Sequence, residues 1–157
     1  MVNQLVSKIS LENEIDTFVI LNFPTKVNRT STFVAGFEEL VQLHINDVGK
    51  TIIRLGKVVH QYNIQPVNIR FDTKRIKLSI LSDDSYFLLG SNKQVLGLEN
   101  LTSEDIITSD IFDIKVEKVN ELGKVIEITV IMNNSINYEK TMFLQFNENL
   151  LTYDVIQ

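Results

Sequence analysis

The sequence predicts an α+β fold: one long amphipathic helix packed on a largely antiparallel β-sheet of about seven or more strands. Three observations lead there. From Phe33 to Tyr62 apolar residues recur every three or four positions, a helical period. After Pro66 the apolar period shortens to two. The last third alternates β-branched runs with short polar connections, the pattern of neighbouring antiparallel strands. At 157 residues the chain can bury a core without a metal or disulfide, and residues 1–157 read as a single α+β domain with no linker and no internal repeat.

The elements follow in order. Ile15–Phe23 is a β-branched and aromatic run stopped by Pro24, hence a buried strand. Ser31 or Thr32 then offers a helix N-cap. In the helix that follows, Ile45, Val48, Ile52, Leu55, Val59 and Tyr62 fall on one stripe, with Lys50, Arg54 and Lys57 opposite. Gly49 and Gly56 each weaken a helix by roughly 1 kcal/mol, so close packing of another backbone or a break near Asn46–Gly49 is expected there. The near-heptad stripe also raises a homodimer seam, set below packing on the protein's own sheet. Val67–Phe71 and Ile76–Ile80 alternate around Asp72-Thr73-Lys74, and Tyr86–Leu89 and Gln94–Leu98 make shorter strands. Thr102-Ser103-Glu104-Asp105 reads as a single capped helical turn. Ile111–Val119, Lys124–Met132 and Tyr138–Phe146 complete the sheet, with Leu150–Ile156 as an edge.

Composition narrows the function classes. Without cysteine there is no disulfide, thiolate nucleophile or cysteine-ligated zinc. A net charge of −5 gives no bulk attraction to nucleic acid. Met1–Lys8 lacks the basic lead of a secretory signal, and no apolar run approaches the ~20 residues of a membrane span, so a cytoplasmic protein without membrane association is expected. Nineteen isoleucines and fifteen asparagines point to an AT-rich coding sequence, as in phages and low-GC bacteria.

Motifs for chemistry are weak. Gly49-Lys50-Thr51 matches the end of a phosphate-binding loop, but the position five residues before Gly49 is His44 where the pattern needs glycine. Asp47 also puts a carboxylate where phosphate oxygens would lie. His44 and His60 lack a second histidine at i+4, so neither begins a metal face. Asp83-Asp84 reads as a turn, and Asp110 with Asp113 as strand-flanking carboxylates. No catalytic residue, cofactor site or metal site is expected, and no motif identifies a family.

Charge distribution says more. Residues 26–80 hold nine Lys/Arg against four Asp/Glu, a net of +5, whereas residues 81–157 hold five against thirteen, a net of −8. Lys50, Arg54, Lys57, Arg70, Lys74, Arg75 and Lys77 are therefore the candidate contacts for a partner, with Phe71 and Tyr86 available for stacking. A solvated polar face explains the same residues and is preferred to a binding patch. The leading expectation is a small non-catalytic protein–protein interaction factor: a regulator, inhibitor or immunity-type accessory protein. The alternative is nucleic-acid binding through the basic segment 50–77, and below it a nucleotide- or phosphate-handling enzyme at Gly49-Lys50-Thr51.

Overall fold

The computed structural model describes residues 2–21, 26–27, 30–31, 41, 43–45, 49–55, 59–62, 67–89, 101–147 and 152–156. In chain order its elements are helix α1 (Val2–Leu11) and strands β1 (Thr17–Ile20), β2 (Lys26–Val27), β3 (Thr30–Ser31), β4 (Thr51–Arg54) and β5 (Val59–Tyr62). There follow β6 (Val67–Asp72), β7 (Arg75–Ile80), β8 (Tyr86–Leu89), β9 (Ile106–Thr108), β10 (Phe112–Val119), β11 (Val125–Met132), β12 (Thr141–Asn147) and β13 (Thr152–Val155). The fold is a sheet-rich α+β arrangement in two compact units, Met1–Lys57 with Asn137–Gln157, and Val58–Ile136.

The first unit joins both ends of the chain. Its sheet runs β13-β12-β1-β4, with β1 parallel to β12 and β4 and only the β12–β13 pair antiparallel. Register aligns Phe18 with Met142 and Ile52, and Phe146 with Tyr153, so these side chains share one face. Leu5 and Ile9 of α1, with Val41 and Ile45, pack into the same buried cluster. Burying each such side chain contributes roughly 1.5–3 kcal/mol. The Phe146 and Tyr153 rings meet edge to face at 5.3 Å. Val19, Ile53 and Phe143, on the opposite face, are buried too, as parallel strands require.

The long helix expected over 33–62 is not what forms. Residues 51–54 and 59–62 are strands, and residues 32–40, 46–48 and 56–58 lie outside those described. Thr51, Ile52, Ile53, Val58 and Val59 are β-branched, which stiffens the side chain against a helix and suits a pleated surface. In β4, Ile52 and Ile53 are buried on opposite faces, which a single helical stripe does not allow. Helical backbone does occur at 41, 43 and 44, where the Ile45 N–H donates to the Val41 carbonyl at 3.1 Å. The dimer seam imagined along the stripe loses Ile52 and Leu55 to the interior. Ser31, expected as a helix cap, instead pairs with Lys26 between β2 and β3.

Two further expectations change. The connection after β11 does not make a hairpin, because β12 joins β1 and β13 in the first unit's sheet. Thr141 to Leu144 are all buried, a run that needs an inner strand. Thr102–Asp105 is a turn without a helix: the Asp105 carboxylate accepts from the Thr102 N–H at 2.7 Å and hydroxyl at 3.0 Å, and Glu104 has φ 78°. The strand expected at 94–98 lies outside the described residues.

The second unit is a seven-stranded antiparallel sheet. Its strands connect β6-β7-β11-β10-β9, while β8 extends along the start of β11 and carries β5. Ile76, Leu78, Ile114, Val116, Ile128 and Val130 form its fully buried face. The turn from β10 to β11 is a three-residue loop: the Gly123 N–H donates to the Asn120 carbonyl at 2.9 Å, and Gly123 sits at φ 71°. A Cβ there would meet nothing within 4 Å, so only the backbone resists substitution. Gly123→Ala is expected to destabilise by about 1 kcal/mol, with Gly123→Asn closer to wild type, read as a shift in the urea midpoint.

Candidate interaction surface

Strand alternation in the second unit sorts its charges onto one face. Arg70 on β6 stands opposite Lys77 on β7, Lys77 opposite Thr129 on β11, and Thr129 opposite Lys115 on β10. One row along, Asp72 faces Arg75, Arg75 faces Ile131, and Ile131 faces Asp113. Most of this face neutralises itself. Lys77 pairs with Glu127 at 2.8 Å, Ser79 donates to Glu127 at 2.8 Å, and Thr129 donates to Glu117 at 2.7 Å. Lys115 bridges Glu104 at 2.8 Å and Glu117 at 3.6 Å. The hydrogen bond to Glu104 raises the Lys115 ammonium's pKa most, against some desolvation.

The Glu127 carboxyl is held below its ordinary value of 4.5, first by the hydrogen bond from Lys77, then by that from Ser79, with desolvation opposing. Its folded pKa lies below the unfolded one, so its stabilisation is complete above about pH 4.5 and fades as pH falls through the folded value. Lys77 and Glu127 side chains are 40% and 26% exposed, so the pair contributes on the order of 0.5 kcal/mol after solvent screening. Glu127→Gln is therefore expected to flatten the acid limb of a stability–pH curve slightly, and an unchanged limb would show that the pair does not hold in solution.

The described candidate cations differ in exposure and in partners. Arg70, Lys74 and Arg75 are exposed on the β6–β7 hairpin and make no ion pair with another described residue. Lys77 is half-buried and engaged with Glu127. Lys57 lies outside the described residues. Lys50 and Arg54 are 6% and 2% exposed in the first unit, which corrects their expected place on a surface. Lys50 Nζ donates to the carbonyls of Ile9 at 3.0 Å and Glu12 at 2.6 Å, satisfying the end of α1, and lies 5.4 Å from the Phe18 ring centre. Arg54 stands beside Ile20 in register, on the face that carries Tyr153. Burial pushes the Tyr153 hydroxyl's pKa well up, and the Arg54 charge draws it back only in part.

The expected stacking residues are also separated. Phe71 alternates onto the face opposite Arg70 and stands across from Ile76. Tyr86 carries Lys124 over its ring, 4.9 Å from the centre. Gly49-Lys50-Thr51 runs from a turn into β4, so the tripeptide opens a strand and not a helix. Asp84 lies in the expected turn, its N–H donating to the Ser82 hydroxyl at 3.4 Å. His44 is exposed on helical backbone and His60 lies in β5; among the described residues no three His, Asp or Glu group as metal ligands. What the charge count missed was the partner acids Glu104, Glu117 and Glu127. Glu117 stands two residues from Lys115 on β10 and Glu127 two residues from Thr129 on β11, so a two-residue period places them on the lysines' face.

No helix among the described residues is long and apolar enough to cross a membrane. Compared with protein-family models, curated proteins and solved structures, the chain matches none.

Proposed function

We propose that this chain is a non-catalytic protein–protein interaction factor: a regulator, inhibitor or accessory protein. The observation that carries the reading is the β6–β7 hairpin, whose exposed Arg70, Lys74 and Arg75 stand outside the ion pairs that neutralise the rest of their face. Exposed cations held on a rigid sheet select a partner by charge and speed its encounter. The phosphate-handling alternative loses support because the Lys50 ammonium is already bonded to two carbonyls of its own chain. Nucleic-acid binding is the second reading, supported by the same three cations. It is weakened by Glu117 and Glu127 on their face and by Phe71 on the other.

Crosslinking in the native host through Lys74, read by mass spectrometry, tests the reading. A specific protein captured by the wild type and lost in Arg70→Glu/Arg75→Glu supports it. Retention of DNA or RNA that collapses with added salt would replace it with the second reading.

A further inference from the structure

One end of the second unit's strand path is β9, which pairs with β10 alone among the described residues. Two flanking bonds set its phase. The Val116 N–H donates to the Asp105 carbonyl at 2.8 Å, and the Ser109 N–H to that of Phe112 at 3.1 Å. In an antiparallel pair such bonded positions recur at every second residue, so Ile107 bonds to Ile114. The N–H and C=O groups of Ile106 and Thr108 therefore point outward, and no described residue hydrogen-bonds to them. The side chains agree. Ile106 is 59% exposed and Thr108 is exposed on one face, while Ile107 on the other is half-buried beside fully buried Ile114.

Charge says what fits this margin. Residues 104–113 hold Glu104, Asp105, Asp110 and Asp113 and no lysine or arginine. Glu104 is taken by Lys115, and the Asp105 carboxylate accepts from Thr102. Asp110 and Asp113 make no ion pair with another described residue. Asp113 stands directly across from Thr108 on the same face, so only a short side chain separates it from the margin. A second copy pairing antiparallel about Ile107 would bring Glu104 opposite Asp110, and a nucleic acid would bring phosphates to the same acids. The charge selects against both.

We propose that the β9 edge receives an extended protein segment alternating basic and apolar residues. Its backbone would hydrogen-bond to Ile106 and Thr108. On one face its apolar side chains would continue the core past Ile107. On the other its cations would reach over Thr108 to Asp113, their aliphatic stems covering Ile106. This goes beyond the cation-bearing β6–β7 hairpin, which lies at the other end of the strand path, and adds a second contact of opposite charge.

The probe is an octapeptide alternating valine and arginine. It is compared with its valine–glutamate counterpart and with a block-ordered peptide of its own composition. Fluorescence anisotropy measures binding, and amide hydrogen exchange read by NMR locates it. The alternating basic peptide is expected to exceed both comparators by about tenfold. It is expected to slow exchange at Ile106 and Thr108, whereas Ile107, already bonded to β10, changes little. Asp113→Lys is expected to move the preference toward the glutamate peptide. Thr108→Pro removes one outward donor and spares the bonds to β10, so it is expected to abolish binding with β10–β11 exchange unchanged. Equal binding of the three peptides, no binding, protection away from β9, or full binding by Thr108→Pro would overturn the edge assignment. So would slowed exchange at Ile106 and Thr108 on raising the protein concentration without peptide, which would make a second copy the occupant. Failure here leaves the crosslinking result at Lys74 standing, because the two surfaces share no residue.

Discussion

Lys50→Ala is expected to destabilise the first unit by about 2–3 kcal/mol, read as a lowered urea midpoint. The ammonium donates to the carbonyls of Ile9 and Glu12, at and just past the last turn of α1, where the helix leaves its acceptors unpaired. A cation there also meets the negative end of the helix dipole. The ceiling comes from what remains after truncation. The Ile9 carbonyl keeps the Glu12 N–H at 3.2 Å, and the Glu12 carbonyl keeps the Ile15 N–H at 3.3 Å, so neither is orphaned. Lys50→Met keeps most of the buried stem while losing the charge and both hydrogen bonds, so it is expected to recover part of the loss. A cost below about 0.5 kcal/mol for Lys50→Ala would mean that the cap does not form in solution. The same side chain bears on chemistry. A lysine fixed on its own helix is not available to phosphate, so thermal stabilisation by added nucleotide is not expected, and a clear shift would reopen the phosphate-handling alternative.

Strands whose neighbours lie close in sequence were readable from a two-residue period. Val67–Asp72, Arg75–Ile80 and the β10–β11 hairpin fall within a residue or two of where alternation and turn residues put them. Each is a local decision, made by pairing across a short loop. The first unit was less legible because its sheet is assembled from distant segments. β1, β4 and β12 are parallel neighbours drawn from opposite ends of the chain, and nothing in a local window announces that pairing. Ile52 to Tyr62 satisfies a helical spacing by coincidence, and its β-branched content was the stronger signal. α1 went unread although Val2, Leu5, Val6 and Ile9 have helical spacing; Leu5 and Ile9 are fully buried, and Lys8 donates to the Tyr153 carbonyl at 2.7 Å. For the candidate surface, the sequence located the cations but not their partners. Lys77 is matched by Glu127 across β7 and β11, fifty residues on, so a tally by segment counts it as unopposed.

Phe18→Ala carries the largest expected loss, about 3–5 kcal/mol. Phe18 is fully buried on β1, between Met142 and Ile52 on the two flanking parallel strands. It belongs to the cluster that receives Leu5 and Ile9 from α1. Removing the ring leaves a cavity where three segments converge, and parallel strands fixed by register have little freedom to close it. Phe18→Leu is expected to cost less than half as much, because volume is mostly kept. The ring also faces the Lys50 ammonium, so Phe18→Leu and Lys50→Met should couple by about 0.5–1 kcal/mol in a double-mutant cycle. The location of the damage distinguishes this packing from a general loss of core. α1 lacks the length to hold itself together in water and depends on the surface that Phe18 helps provide. Its amides, from Leu5 to Leu11, are therefore expected to lose protection from hydrogen exchange before those of β12. Faster exchange in β12 with α1 unchanged would mean that the helix is held by something other than this cluster.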